Sequence, residues 1–315
     1  RADRTGRAGR AEAGVSGRAA ARSRGARPAG GRGSRRRTTR KSTDRALLLR
    51  RTSYGETSLV VHVLTLRHGR VELIAKGAHR PKSRFSGVLD WFDTLELAWT
   101  GSREGDLGTL GEGSLEARRR HLTRSLGAYR AAQTVVELLD LATRAGAADP
   151  DLFRLGESAL DALDGHVADA GVPHSALLAA FELHLLDHLG LAPSLEVCAS
   201  CGGPAPPVDP GVPEPRVPFS AAAGGRLCAK HANEAHAAGV RVGTLPADVL
   251  GAAAAALAAP LSHAGALGWS HDLSERVLDF AGRFLDHHLE ARPRSHGAFL
   301  SAPDRNRRNR STDRP

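Results

Sequence analysis

Residues 57–66 read TSLVVHVLTL, and the fold class turns on them. β-Branched and apolar side chains fill the run, which is shorter than an ordinary helix. Turn residues bound it, with Tyr54-Gly55-Glu56 on one side and His68-Gly69-Arg70 on the other. An apolar run between two such turns is expected to be a strand. Working outward, residues 46–51 form a short apolar run, 71–76 make a third strand, and 93–99 (DTLELAW) alternate with period two. A turn cluster at 100–106 leads into a weaker strand at 107–110. Five short strands within one short stretch, with turns between them, predict a small closed barrel of the OB-fold kind.

After Ser114 the period lengthens. Residues 116–144 carry Leu122, Leu126, Tyr129, Val136 and Leu139 at helical spacing, and 150–163 read as a second helix. Pro173 opens a third helix over 174–189, which Gly190 closes, with Leu177, Phe181, Leu185 and Leu189 as its apolar stripe. Two more helices are expected at 246–258 and 273–291. With the CxxC pair Cys198/Cys201 and the CxxH pair Cys228/His231 lying between helices, the expected fold class is α+β: an N-terminal five-stranded OB-fold barrel followed by an all-helical domain with an inserted zinc finger. The domain reading is 44–115 for the barrel and 116–292 for the helical domain, with the finger at 193–235. Basic disordered tails are expected at 1–43 and 293–315, where large apolar side chains are too few to offset the entropy of ordering.

The net charge of +10 comes from those ends. Residues 1–45 hold 15 Lys/Arg against 3 Asp/Glu, and 293–315 hold 6 against 2, so residues 46–292 carry a net −6. A basic total suggests a polyanion partner, but the argument for the folded part has to be local. The N-terminal tail reads either as a loose polyanion-binding arm or as a dispensable extension. It has no apolar run of the secretory kind, although its Arg content is also that of a transit peptide. Residue 1 is Arg and the chain has no Met, so residue 1 is not expected to be the biological start. No apolar run is long enough to span a bilayer.

Three cysteines, an odd number in 315 residues, are not a disulfide framework and suit a reducing cytosol. Cys198-Ala-Ser-Cys201 is one knuckle and Cys228-Ala-Lys-His231 a second. Two-residue spacing lets both donors of a knuckle face one ion, and four protein ligands leave no open position for water, so the reading is a structural zinc. His231 is the expected fourth ligand, with His236 as the fallback. A redox CxxC is the weaker reading, because no thioredoxin-like unit surrounds it.

Residues 67–84, RHGRVELIAKGAHRPKSR, contain Arg67, Arg70, Lys76, Arg80, Lys82 and Arg84 against the single acid Glu72. Concentrated positive charge of this kind neutralises phosphates with release of counterions, and these six are the candidate DNA-binding residues. Phe85, Trp91, Phe92 and Trp99 lie nearby. They are read either as stacking platforms for unpaired bases or, more simply, as core.

No GxxxxGK[ST], GxSxG or HExxH pattern occurs, and no catalytic residues are assigned. His184, Asp187 and His188 could form a metal half-site of a hydrolase, but a polar helix face is the plainer reading.

The run Leu48-Leu49-Arg50-Arg51-Thr52-Ser53-Tyr54-Gly55-Glu56 resembles the opening of the bacterial DNA repair and recombination protein RecO family. So do KGAHRPKSRF from Lys76-Gly77 to Phe85, and residues 89–96. Leu189-Gly190-Leu191-Ala192-Pro193 leading into Cys198, and Phe219-Ser220 through Gly224-Gly225-Arg226-Leu227-Cys228, resemble the two halves of that family's finger. The resemblance covers roughly 45–292. It implies an OB-fold, a helical domain and an inserted zinc finger. It also implies a cytoplasmic, nucleoid-associated recombination mediator that binds single- and double-stranded DNA, anneals strands, acts with RecR, contacts SSB and helps load RecA. By matching position, Lys76, Arg80, Lys82 and Arg84 would be phosphate contacts. The family's finger often has four cysteines, whereas here the last position is His231. A zinc-stabilised adaptor without annealing activity is the alternative reading.

Overall fold

The computed structural model describes residues 41–101, 106–166, 172–209, 211–289, 293 and 295. Five strands close into a barrel: β1 (Lys41–Tyr54), β2 (Ser58–Thr65), β3 (Gly69–Ala75), β4 (Thr94–Thr100) and β5 (Gly108–Ala117). Their order around the barrel is β1-β2-β3-β5-β4. All neighbours are antiparallel except β3 and β5, which pair in parallel. Closure is the only arrangement that leaves such a sheet with no free edge.

β1 shows how the sequence chooses sides. Ala46 and Leu48 point into the barrel with Val61, Val63, Val71, Leu73, Leu95 and Leu97. Leu47 and Leu49 point outward and join the helical core. A four-residue apolar run is therefore needed where both faces of one strand are covered. β1 begins at Lys41, inside the segment expected to be tail. The rest of the expected tails, apart from residues 293 and 295, lies outside the described residues.

The helical part comprises α1 (Leu126–Ala142), α2 (Pro150–His166), α3 (His174–His188), α4 (Ala229–Ala237), α5 (Ala247–Ala258), a 3-10 helix over Leu261–Leu267, and α6 (His271–Leu289). α1 starts ten residues later than the periodicity suggests, because 111–117 extend β5 along β4, with Ser114 opposite Glu96 and Ala117 opposite Thr94. Strand pairing overrides the helical preference of Leu115-Glu116-Ala117. α3 is not striped. Ala176, Leu178, Ala179, Ala180, Leu183 and Leu186 are as buried as Leu177 and Phe181, so it is the central helix, apolar all round.

Acids on α2 bolt the helices to the barrel. Glu157 accepts from Arg45 (2.8 Å) and Thr94 (2.8 Å). Asp161 takes the guanidinium of buried Arg119 (2.7 Å). Asp164 accepts the amides of His121 and Leu122 (2.7 and 3.0 Å). Spacing of four and three residues places all three on one helix face. The β2–β3 turn is pressed against the α1–α2 connection at Gly69, where φ is +65° and a Cβ would sit 2.1 Å from the Ala147 carbonyl oxygen. Only glycine fits there.

Between α3 and α5 the chain forms a small sheet in the order β7-β6-β8, from β6 (Arg216–Ser220), β7 (Gly225–Arg226) and β8 (Gly243–Pro246). Gly225 lies so close to Ser194 that a Cβ would come within 2.4 Å of its carbonyl oxygen, which lets the Arg226 amide donate to the same oxygen (2.8 Å).

Candidate nucleic-acid interface and metal centre

The loop after β3 is a chain of tight turns bolted at both ends. The Arg80 amide bonds to Gly77 O (3.1 Å), Ser83 to Arg80 O (2.9 Å) and Val88 to Phe85 O (3.1 Å). Ala75 at its start, and Phe85 and Leu89 beyond it, are buried in the barrel core. With apolar anchors inside, the intervening cations are forced out. Lys76, Arg80, Lys82 and Arg84 are all exposed, and none forms an ion pair with a described residue. Arg84 lies over the Phe85 ring at 5.0 Å.

Arg67 and Arg70 are placed differently. Asp44 is buried to 2% exposure and accepts from the Arg67 amide (2.7 Å), Arg67 Nε (3.0 Å) and the His68 ring (2.8 Å). Arg70 is half-buried, with Nη1 3.5 Å from Asp140, which also takes Arg50 at 2.7 Å. A buried carboxylate requires such partners. The structure therefore groups four of the six expected cations in one loop and commits the other two to carboxylates.

Three of the four nearby aromatics are core: Phe85, Phe92 and Trp99 are 1–3% exposed. Trp91 is half-buried at the surface, with the Arg51 guanidinium 5.3 Å from its ring centre. Two residues outside the six expected cations also support this region: Arg51 donates to Leu89 O (3.1 Å), and His79 bonds through its amide to Thr57 O (2.9 Å) and through its ring to Ser53 (3.3 Å). The available signal was the hairpin at Gly55, which brings Ser53 and Thr57 to His79 and pairs Leu59 with Ala75.

The finger donors converge. The ligand atoms of Cys198, Cys201, Cys228 and His231 all lie within 4.8 Å of one another. His231 Nδ1 is 3.1 Å from Cys228 Sγ and 3.6 Å from Cys198 Sγ. A tetrahedral ion with bonds of about 2.0–2.3 Å places its donors roughly 3.5–3.8 Å apart, so the group fits one metal ion. Burial raises the Cys198 thiol pKa, but the amides of Cys228, Cys201 and Ser200, with the Cys201 side chain, outweigh it and bring it down to about 6. A thiol that ionises this readily is a ready ligand. His231 Nε2 faces Glu234 at 3.7 Å, the outer carboxylate that orients a ligating imidazole.

The helix-borne histidines do not form a site. His184 bonds to Ala259 O (3.0 Å) and His188 to Asp149 (2.8 Å), each tying α3 to a different neighbour. Among the described residues no metal-ligating group other than the finger is assembled.

Residues 39–118 match the family model described as recombination protein O N terminal, and residues 124–297 match recombination protein O C terminal. The chain belongs to the RecO family. DNA repair protein RecO of Anaeromyxobacter sp. (strain K) is 39% identical over 184 residues, 58% of this chain and 67% of that protein. The RecO of Myxococcus xanthus (strain DK1622) is 36% identical over 185 residues, 59% of this chain and 70% of that one. Membership gives this RecO-family chain a role in DNA repair and recombination. Among the described residues no helix is long and apolar enough to cross a membrane.

Proposed function

We propose that the chain is a recombination mediator without chemistry of its own, binding single- and double-stranded DNA and annealing complementary strands. One observation carries this: Lys76, Arg80, Lys82 and Arg84 project from a single anchored loop with no carboxylate partner among the described residues. Two strands repel through their phosphates, and cations that release counterions from both lower that repulsion while bases meet. Zinc held by Cys198, Cys201, Cys228 and His231 would staple the finger, the role expected of a closed four-ligand site. RecR is the proposed partner in loading RecA onto SSB-coated single strands, work that belongs in the cytoplasm at the nucleoid. A groove of about 680 Å³ between β6, β8 and helices α5 and α6 suits an acidic, apolar-ended tail such as SSB would present. Phe219, Phe280, Arg216 and Arg241 line it, as do Arg283 and Asp279, which are paired with each other.

The test is strand annealing by the chain lacking residues 1–38, beside the K76A/R80A/K82A/R84A variant of the same chain. The proposal expects annealing from the first and a loss of roughly tenfold or more from the second. Equal rates in both would remove the loop from the mechanism.

A further inference from the structure

Residues 118–130 read RRRHLTRSLGAYR, with five arginines and no acid in thirteen positions. The segment runs from the end of β5 into the first turns of α1 and divides by burial. Arg119 is 5% exposed and donates to Asp161, the Phe92 carbonyl and Thr94 Oγ1. Arg118 is held by Asp93 (3.3 Å) and the Gly87 carbonyl (2.8 Å), three residues beyond Arg84. Arg120, Arg124 and Arg130 are exposed, and none pairs with a described carboxylate. Surfaces normally mix signs, so three uncompensated guanidiniums, two on the β5–α1 connection and Arg130 in the first turns of α1, are a feature that suits an anionic partner.

This patch is joined to the loop by a line of rings. Arg51 covers Trp91, Trp91 lies 6.5 Å from Phe92, and Phe92 meets the Tyr129 ring edge-on at 5.3 Å. Phe92 takes a φ of +72°, costly for a bulky residue. Arg119 holds the Phe92 carbonyl. The left-handed turn buries the Phe92 ring, while its neighbour Trp91 stays at the surface. Tyr129 is 37% exposed and Leu126, one turn before it, 66% exposed. Half-buried Trp91 and the exposed edge of Tyr129, backed by buried Phe92, lie between two groups of free cations, and aromatic faces beside cations are the composition of a single-strand track, where bases stack and phosphates pair.

We infer that a single strand bound at the 76–84 loop continues across Trp91 onto Tyr129, with Arg120, Arg124 and Arg130 taking its phosphates. The inference rests on the reading of the loop as a DNA site and lengthens that site across the barrel–helix junction.

The experiment uses the full chain, so that residues 1–40 contribute equally to every variant. Binding to oligothymidines of about 8 nucleotides, within one OB-fold site, and of about 30, beyond it, is measured against salt. The R120A/R124A/R130A variant is expected to bind the short strand as the parent does and the long one roughly tenfold more weakly. Its salt slope on the long strand is expected to fall by about 2, at ~0.7 per phosphate. The R120K/R124K/R130K variant, which keeps the charges, is expected to retain the slope. An unchanged slope in the alanine variant, as expected if this face serves an acidic protein instead, overturns the inference. Equal loss on both lengths, or loss in the lysine variant too, also overturns it. Failure of K76A/R80A/K82A/R84A to weaken either strand would instead remove the underlying reading of the loop.

Discussion

The two ends of β3 begin with the same kind of residue and finish with opposite roles. At the entry, Arg67 and His68 converge on buried Asp44, and Arg70 turns to Asp140. At the exit, Lys76, Arg80, Lys82 and Arg84 meet no described carboxylate. Composition is similar at both ends; what differs is whether an acid arrives from elsewhere in the chain. Positive charge at the entry is consumed in holding the barrel to its first strand and to the helices. At the exit it is left for a ligand.

The contrast can be broken at its anchor. Phe85 is buried at 3% exposure just past the last loop cation. Phe85→Ala should cost about 3–5 kcal/mol by urea denaturation, and hydrogen exchange should show loop 76–84 opening before the rest of the barrel. At the entry, Asp44→Ala leaves the Arg67 amide without its acceptor, at about 1–3 kcal/mol. It also frees a guanidinium that is already 65% exposed. Stability should fall while the DNA salt slope steepens by about 0.7, the reverse of the pattern for the loop variants. Asp140→Asn takes the carboxylate from half-buried Arg70 and exposed Arg50, and should cost on the order of 1 kcal/mol.

Metal removal should affect the contrast least. Chelation is expected to loosen the finger, seen as faster exchange at 194–203 and 225–237, with loop binding unchanged. Acid should act on the finger in the same direction. The Cys198 thiol sits at about 6 rather than 9.0, so its ionised form stabilises the folded finger fully above pH 9, and that stability is lost as pH falls through 6. Protons and metal compete for the same sulfur. Metal released on acidification, followed with a coloured chelator, should therefore rise as pH falls, setting in below the metal-free thiol's value of about 6 because bound metal holds the thiolate.

The barrel was legible because its strands announce themselves locally. Val71, Leu73 and Ala75 alternate with half-exposed neighbours, and the 57–66 run sits between two turns. The finger was legible for the same reason, since each CxxC or CxxH half-site lies within one turn of chain. Distant partners were not legible. Nothing near Arg67 or Arg70 points to Asp44 or Asp140, 23 and 70 residues away. The far half of β5 was hidden because Gly111-Glu112-Gly113-Ser114 carries no alternating apolar signal, and only pairing with β4 makes it a strand. That error hid the acid-free run at 118–130, which was absorbed into an overlong first helix.

The central claim is that the exit loop holds a polyanion through charges of its own. Its most direct test is the slope of log affinity for single-stranded DNA against log salt, in the chain lacking 1–38 with and without K76A/R80A/K82A/R84A. The account expects salt-dependent binding in the parent and a slope shallower by about 3 in the variant, at ~0.7 per phosphate. Coincident slopes would contradict it.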